Sequence, residues 1–388
     1  MKKFKKFVKK LKIAIRMIPF LAINRSIMLL VKVKKNQILF ASDVREEMGG
    51  NLKYVYDYLP DTFRKVTDFK RDRRDRRGLT QYLKLAYYMT TSAYIVLEDF
   101  FDYTAFIKVR KGQEICQLWH GAGAYKKFAH SRTTNNREKI KIHAGYKKYT
   151  KVIVSAEPIR SCYAEAFHIS MDKVQATGIP RTDCFFDKNY ITNVRITLQE
   201  QYPQLKGKKV ILFAPTYRGT LANDAAYDFD KLNLDELYPY LKDNYIFVFK
   251  WHPAAYNNIK LNGKEAYRLG KYDDCFLDLS DCRDINDLLL IADILVTDYS
   301  SVIFDWLLVE KPIIYYAYDM EDYAGTRGLY FNFEEYVYGS VAKDQEQLIQ
   351  AIYNEDMQWE KRAAFRDKFM SACDGTSTEK TCKWIFHD

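Results

Sequence analysis

His120 sits in the segment Gln117-Leu-Trp-His-Gly-Ala-Gly-Ala-Tyr-Lys-Lys-Phe128, where an apolar run gives way to Gly121, Gly123, Lys126 and Lys127. An imidazole titrates near neutral pH, so at a strand end it can act as a general base, or simply cap the turn. Glycines let backbone N–H groups approach a phosphate, and the lysines add positive charge. A second segment, Ile211–Gly219 (ILFAPTYRG), presents Thr216 and Arg218 after an apolar run, and a third, Phe249–Pro253 (FKWHP), presents Lys250 and His252. Arg218 can clamp an anion or serve a structural role in its loop. Lys250 and His252 offer cationic or donor groups suited to a diphosphate, or form a packed Trp-His-Pro corner. The fourth, Ala292–Trp306 (ADILVTDYSSVIFDW), runs from a buried strand through Thr297, Ser300 and Ser301 into a helix. Hydroxyls and free N–H groups at a helix start cap it and can also hold an anion.

Other chemistries find little support. The chain has no GxGxxG, GxxxxGK[ST], HExxH or GxSxG. His120, His130, His143 and His168 lack metal-ligand helical spacing, and the sole DxD, Asp228-Phe-Asp230, lies in a polar loop. These patterns are poor evidence for a metal-bound nucleotide, so no residue is assigned to a metal and a divalent-metal requirement is left open.

These segments need strands to carry them. Short runs rich in Ile, Val, Leu, Tyr and Phe occur at Gln37–Ala41, Ala93–Leu97, Glu114–Trp119 and Val152–Ser155. A second series is Val210–Pro215, Tyr245–Lys250, Cys275–Leu277, Ile294–Thr297 and Ile313–Tyr316. Their continuous apolar character suits strands buried on both faces. Intervening helical stretches such as Asp284–Ile291 and Val302–Leu308 fit βαβ crossovers. The polar stretch Asp187–Lys209 reads as a connection. The expected fold is α/β: two doubly wound Rossmann-like domains, residues 36–195 and 196–388, with a cleft between them. Ligands in such folds bind at the carboxyl ends of the strands, where all four segments fall.

Residues 1–35 stand apart. They hold 12 of the 61 Lys and Arg and none of the 50 Asp and Glu, so the other residues carry 49 basic against 50 acidic groups. Phe4, Phe7/Val8, Leu11, Ile15, Ile18 and Leu21/Ala22 form an apolar stripe at helical spacing. A basic amphipathic helix of this kind lies in the plane of an anionic membrane surface, or packs its stripe on its own domain. The longest uncharged stretch, Met17–Asn24, spans 8 residues, against about 20 for a crossing helix. A cleaved signal peptide is not expected. A near-neutral remainder argues against nucleic acid as a partner. A second basic run, Lys70–Arg77, reads as a solvated loop or a further contact with anionic groups. Seven cysteines without a CxxC fit reduced thiols in a cytosolic protein.

In chain order the motifs resemble the CDP-glycerol glycerophosphotransferase family, teichoic acid and capsule enzymes with a GT-B-like fold. The matches are WHG at 119–121, TGIPRTD at 177–183, FAPTYR at 213–218, KWHP at 250–253, DINDLLLIADILVTDYSSVIFDW at 284–306 and KPIIYYAYDMEDYAGTRGLY at 311–330. The resemblance implies a transferase that moves glycerol phosphate or ribitol phosphate from CDP-glycerol or CDP-ribitol to a hydroxyl of a lipid-linked acceptor, releasing CMP. It implies work at the cytoplasmic face of the membrane. His120 is then the base for the acceptor hydroxyl, and His252 stands near the donor diphosphate. Thr297, Ser300 and Ser301 hold that diphosphate, with Arg218, Arg327 and Lys250 as further contacts; Gly121, Gly123, Lys126 and Lys127 form the acceptor or phosphate loop. The CDP-polyol is a donor substrate, and no cofactor is implied. Where many members continue WHG with Thr-Pro-Leu-Lys-Lys, this chain has Ala122–Phe128, more like members handling ribitol phosphate. A chain of this length favours a primase or few-unit transferase. The alternatives are a GT-B glycosyltransferase using a sugar nucleotide and a non-catalytic peripheral membrane protein.

Overall fold

Strands that read as unbroken apolar runs need cover on both faces, and a parallel sheet flanked by helices supplies it. In the computed structural model the chain builds two such sheets. The structure describes residues 18–70, 77–131, 144–218, 225, 227, 231–252, 255–256, 271–282, 284–319 and 328–386.

The first sheet contains β1 (Lys34–Ser42), β2 (Arg64–Phe69), β3 (Ser92–Leu97), β4 (Glu114–Gln117), β5 (Lys151–Ile153) and β6 (Val174–Gln175). Their order is β2-β1-β3-β4-β5-β6, and every pairing is parallel. Ile38, Leu39, Phe40, Ile95, Val96, Ile115 and Val152 are fully buried along it. Ala41 pairs with Leu97 and Leu97 with Gln117, so three strands end level with one another.

The second sheet contains β7 (Lys209–Phe213), β8 (Tyr245–Phe249), β9 (Phe276–Asp278), β10 (Ile294–Thr297), β11 (Ile313–Tyr316) and β12 (Ser340–Ala342). Its order, β12-β11-β10-β7-β8-β9, is again fully parallel. Strand order reverses between β1 and β3 in the first sheet and between β7 and β10 in the second. Such reversals open the crevice in which doubly wound sheets bind ligands.

Contacts divide the chain into two units. The first holds the described residues up to Gly121, Lys127–Arg181 and the segment from Thr376; the second holds Ala122–Lys126 and Thr182–Gly375. This division differs from the one expected at 195/196, for two physical reasons. Lys188–Gln201, within the stretch read as a connection, is a helix of the second unit. Its N-cap Asp187 accepts from the Asn189 and Tyr190 amides, and the Tyr190 hydroxyl donates to Asp287 at 2.8 Å. The C-terminal helix Ser377–Phe386 belongs to the first unit. Phe386 packs edge-on against Tyr94 at 4.8 Å, Thr381 bonds Thr177 at 2.9 Å, and Lys151 Nζ donates to the Ile385 carbonyl at 2.9 Å.

Of the amino-terminal arm, the structure describes residues 18–35. Residues 1–17 lie outside the described residues. Residues 18–30 are helical and packed on the first unit. Phe20 is fully buried against Tyr82 and Tyr103, and Asn24 Nδ2 donates to Thr90 Oγ1 at 2.6 Å. Residues 34 and 35 already form strand β1. Ile18, Leu29 and Leu30 remain exposed at 57%, 89% and 83%. Among the described residues no helix is long and apolar enough to cross a membrane.

Candidate active site

In the first unit, β4 ends at Gln117 and the chain turns at Trp119, whose φ of 54° is left-handed. That conformation costs an L-residue roughly 1–2 kcal/mol, so its surroundings must hold it. Gln117 Oε1 accepts from the Trp119 amide at 2.9 Å, and buried Asn51 donates to the Trp119 carbonyl at 2.7 Å. Asn51 also accepts from the Arg181 amide at 3.0 Å, joining the WHG turn to the TGIPRTD segment.

The turn presents His120 at the sheet's carboxyl edge. Its side chain is 57% exposed, yet Nδ1 faces the protein and lies 3.1 Å from Asp99 Oδ1. Asp99 follows β3, beside the strand-order reversal. Its Oδ2 accepts from Ser42 at 3.3 Å, and its carbonyl accepts from Gln117 Nε2 at 3.0 Å. Adjacent Glu98 is buried and paired with Arg45. Desolvation of the inward side of the imidazole acts to lower its pKa; the hydrogen bond and charge of Asp99, with the charge of Glu98, more than offset this and leave it raised. The Trp119 ring stacks on His120 at 4.5 Å and on Phe128 at 4.9 Å. A half-exposed imidazole with Nδ1 engaged has Nε2 left to exchange a proton.

In the second unit the reversal between β7 and β10 places Thr216 next to Asp298. The Asp298 carboxylate accepts from the Thr216 and Tyr299 amides at 2.8 and 2.6 Å, from the Thr216 hydroxyl, and from Arg218 Nη1 at 2.9 Å. Ser300 Oγ accepts from the Val302 amide at 3.4 Å, and exposed Ser301 starts the helix Val302–Leu307. His252 is exposed after β8, with its ring 4.7 Å from that of Tyr217.

Several side chains expected to contact phosphate are engaged elsewhere. Thr297 is fully buried, and its hydroxyl donates to the Ala214 carbonyl at 2.7 Å, tying β10 to β7. Lys250 is buried, and its ammonium caps the Ser280 and Cys282 carbonyls at 2.8 and 2.6 Å; desolvation lowers its pKa. Arg218 is held by Asp298 and Asp319. Gly123 belongs to the second unit with φ +66°, against the Phe304 ring. Lys126 forms an antiparallel bridge with Leu329, Lys127 is half-buried, and the Gly121 carbonyl accepts from Tyr163 at 3.3 Å. Arg327, the DxD, Pro253 and most of the 70–77 basic run lie outside the described residues. Sequence reasoning missed Asp99, Asn51, Asp298 and Asp319. The available signal was an acid or amide directly after a strand, as in Leu97-Glu98-Asp99 and Thr297-Asp298.

Comparison with known proteins gives these residues a context. Residues 23–387 match the family model described as CDP-Glycerol:Poly(glycerophosphate) glycerophosphotransferase. The chain is 40% identical to the teichoic acid poly(ribitol-phosphate) polymerase of Bacillus spizizenii, over 92% of this chain and 57% of that protein. It is 37% identical to the ribitol-phosphate polymerase TarL of Staphylococcus aureus (99% and 68%) and 31% identical to the glycerol-phosphate primase of Bacillus subtilis (78% and 76%). The chain therefore spans little more than half the length of the first of these relatives. The wall teichoic acid polymerase TagF has the same GT-B-like fold, with a TM-score of 0.75 at 22% identity over 100% of this chain and 97% of that one. A TagF variant soaked with CDPG matches at 25% identity and the same TM-score (99% and 97%). On the extent of the family match and the level of identity, this chain belongs to the CDP-glycerol:poly(glycerophosphate) glycerophosphotransferase family.

Proposed function

We propose that the chain transfers a polyol phosphate from a CDP-activated donor to a hydroxyl of a lipid-linked acceptor in teichoic acid or capsule synthesis, releasing CMP. The observation that carries this reading is His120, half exposed at the carboxyl edge of a doubly wound sheet in a chain of this family. His120 removes the acceptor hydroxyl proton, and the oxygen attacks the polyol-bearing phosphorus. His252, on the second unit, stands by the diphosphate as charge develops on its oxygens. Ser300 and Ser301, at the carboxyl end of β10, and Arg327 are the remaining candidates for phosphate contact. Such a reaction asks mainly for positioning and electrostatic stabilisation. Ribitol phosphate is the favoured unit, because the ribitol-phosphate polymerases match at 37–40% identity and the glycerol-phosphate primase at 31%.

The same reading places the protein on a membrane surface. Residues 1–17 carry 8 Lys and Arg without an acid, and the helix that follows exposes Ile18, Leu29 and Leu30. Each basic residue near anionic lipid contributes about 1 kcal/mol.

The deciding assay measures CMP release with a detergent-dispersed lipid-linked acceptor, comparing CDP-ribitol with CDP-glycerol. Release from CDP-ribitol, lost in His120→Ala and in His252→Ala, supports the reading. Unchanged turnover in both variants overturns the assignment of the base and its partner. Turnover of a sugar nucleotide alone overturns the reaction class.

A further inference from the structure

We propose that Asp99 is the positioning residue of His120, its carboxylate fixing the imidazole as the Nδ1–H tautomer so that Nε2 meets the acceptor hydroxyl. The inference rests on the reading of His120 as the base, and it stands on geometry. Asp99 Oδ1 lies 3.1 Å from His120 Nδ1. The carboxylate is itself held: Ser42 donates to Oδ2, Gln117 Nε2 holds the Asp99 backbone carbonyl, and the aspartate is only 7% exposed. The same Gln117 side chain accepts from the Trp119 amide, so one residue sets both the carboxylate's backbone and the turn that carries the imidazole.

A carboxylate behind an imidazole does two things without touching substrate. It selects the tautomer that leaves the outer nitrogen unprotonated, and it stabilises the imidazolium formed when that nitrogen takes a proton. In the proposed step Nε2 takes the hydroxyl proton, the acceptor oxygen forms its bond to phosphorus, and the phosphoanhydride bond breaks with its electron pair going to CMP. The imidazolium, paired with Asp99, then releases its proton to solvent. The charged groups around the pair are Glu98 beside Asp99, Arg45 bound to Glu98, and Arg181, whose Nη2 reaches the His120 carbonyl at 3.5 Å.

The test combines kinetics with nitrogen NMR of histidine-labelled protein. In the wild-type protein the His120 resonances should report Nδ1–H with an unprotonated Nε2. Asp99→Asn should mix the tautomers, lower kcat about 10²- to 10⁴-fold, move the acid limb of the pH–rate profile downward and leave the donor KM within about threefold. Asp99→Glu, which keeps the charge, should restore the acid limb and part of kcat. An Nε2–H tautomer in the wild-type protein overturns the inference even if Asp99→Asn does not fold. So does an Asp99→Asn protein with kcat and acid limb unchanged while His120→Ala is inactive. An active His120→Ala instead removes the base assignment, while the NMR experiment still reports whether Asp99 sets the tautomer.

Discussion

Arg218 and Asp319 form a two-pronged ion pair, Nε to Oδ2 at 2.6 Å and Nη2 to Oδ1 at 2.9 Å, while Nη1 reaches Asp298 at 2.9 Å. The guanidinium lies over the Tyr299 and Tyr318 rings, 5.4 and 5.5 Å from their centroids. Bidentate geometry and partial burial make this the brace of three strand-end loops rather than an open clamp for phosphate. Removing Arg218 takes the fork from Asp319 and the charge partner from Asp298, whose side chain is 2% exposed and keeps, among the described residues, only its neutral Thr216 and Tyr299 donors. Arg218→Ala should therefore cost about 3–5 kcal/mol of stability, and Arg218→Lys, which cannot reproduce the fork, should recover little. Thermal unfolding followed by calorimetry checks this. An unshifted transition with a raised donor KM would return Arg218 to the role of a phosphate ligand.

The case of Arg218 shows where sequence and structure part. Buried parallel strands such as Val210–Pro215 and Ile294–Thr297 were legible because full burial on both faces leaves an uninterrupted apolar run. The strands β2, β6 and β12 were not. They lie at sheet edges or are only two or three residues long, and β2 (Arg64-Lys-Val-Thr-Asp-Phe69) reads as a polar segment. The helix Lys188–Gln201 was hidden for a related reason, since Leu198 is its one buried residue. Strand-end placement of His120, Thr216, His252 and Ser300 followed from the pattern. Which of the polar side chains turn inward did not, because Thr297 and Lys250 differ from their neighbours only in the partners that the fold brings to them.

Gly123 offers a test of one loop residue. Its φ of +66° disfavours any side chain, and a Cβ there would come within 2.4 Å of the Phe304 ring. Gly207, in the same unit, has φ +78° and open space around it. Gly207→Ala should thus cost about 1–2 kcal/mol, the left-handed penalty alone. Gly123→Ala should add about 1–3 kcal/mol of overpacking against Phe304. Equal shifts in the unfolding midpoint of the two variants would refute the close contact.

The raised pKa of His120 has opposite consequences for activity and for stability. A base works unprotonated, so the acid limb of kcat/KM, which reports the free enzyme, should fall above the ordinary histidine value of about 6.5. For stability, the folded chain binds this proton more tightly than the unfolded chain. The contribution is fully present below the unfolded pKa and is lost as pH rises through the folded one. A pH–rate profile with its acid midpoint below 6, absent in His120→Ala, would contradict the sign derived from Asp99 and Glu98.

Two truncations separate membrane attachment from folding. Residues 1–17 carry most of the arm's charge, whereas the next segment contributes Phe20 and Asn24 to the first unit and Lys34 to β1. A chain lacking residues 1–17 should melt with the full chain but bind anionic vesicles less, and binding of the full chain should weaken toward 1 M salt, where screening shortens to about 3 Å. A chain lacking residues 1–35 should also melt lower, because losing a buried phenylalanine alone costs about 3–5 kcal/mol. Vesicle cosedimentation and calorimetry on both truncations measure the two effects separately. Undiminished vesicle binding without residues 1–17 would remove the arm from the membrane, and an unchanged melting point without residues 1–35 would remove the helix at 18–30 from the fold.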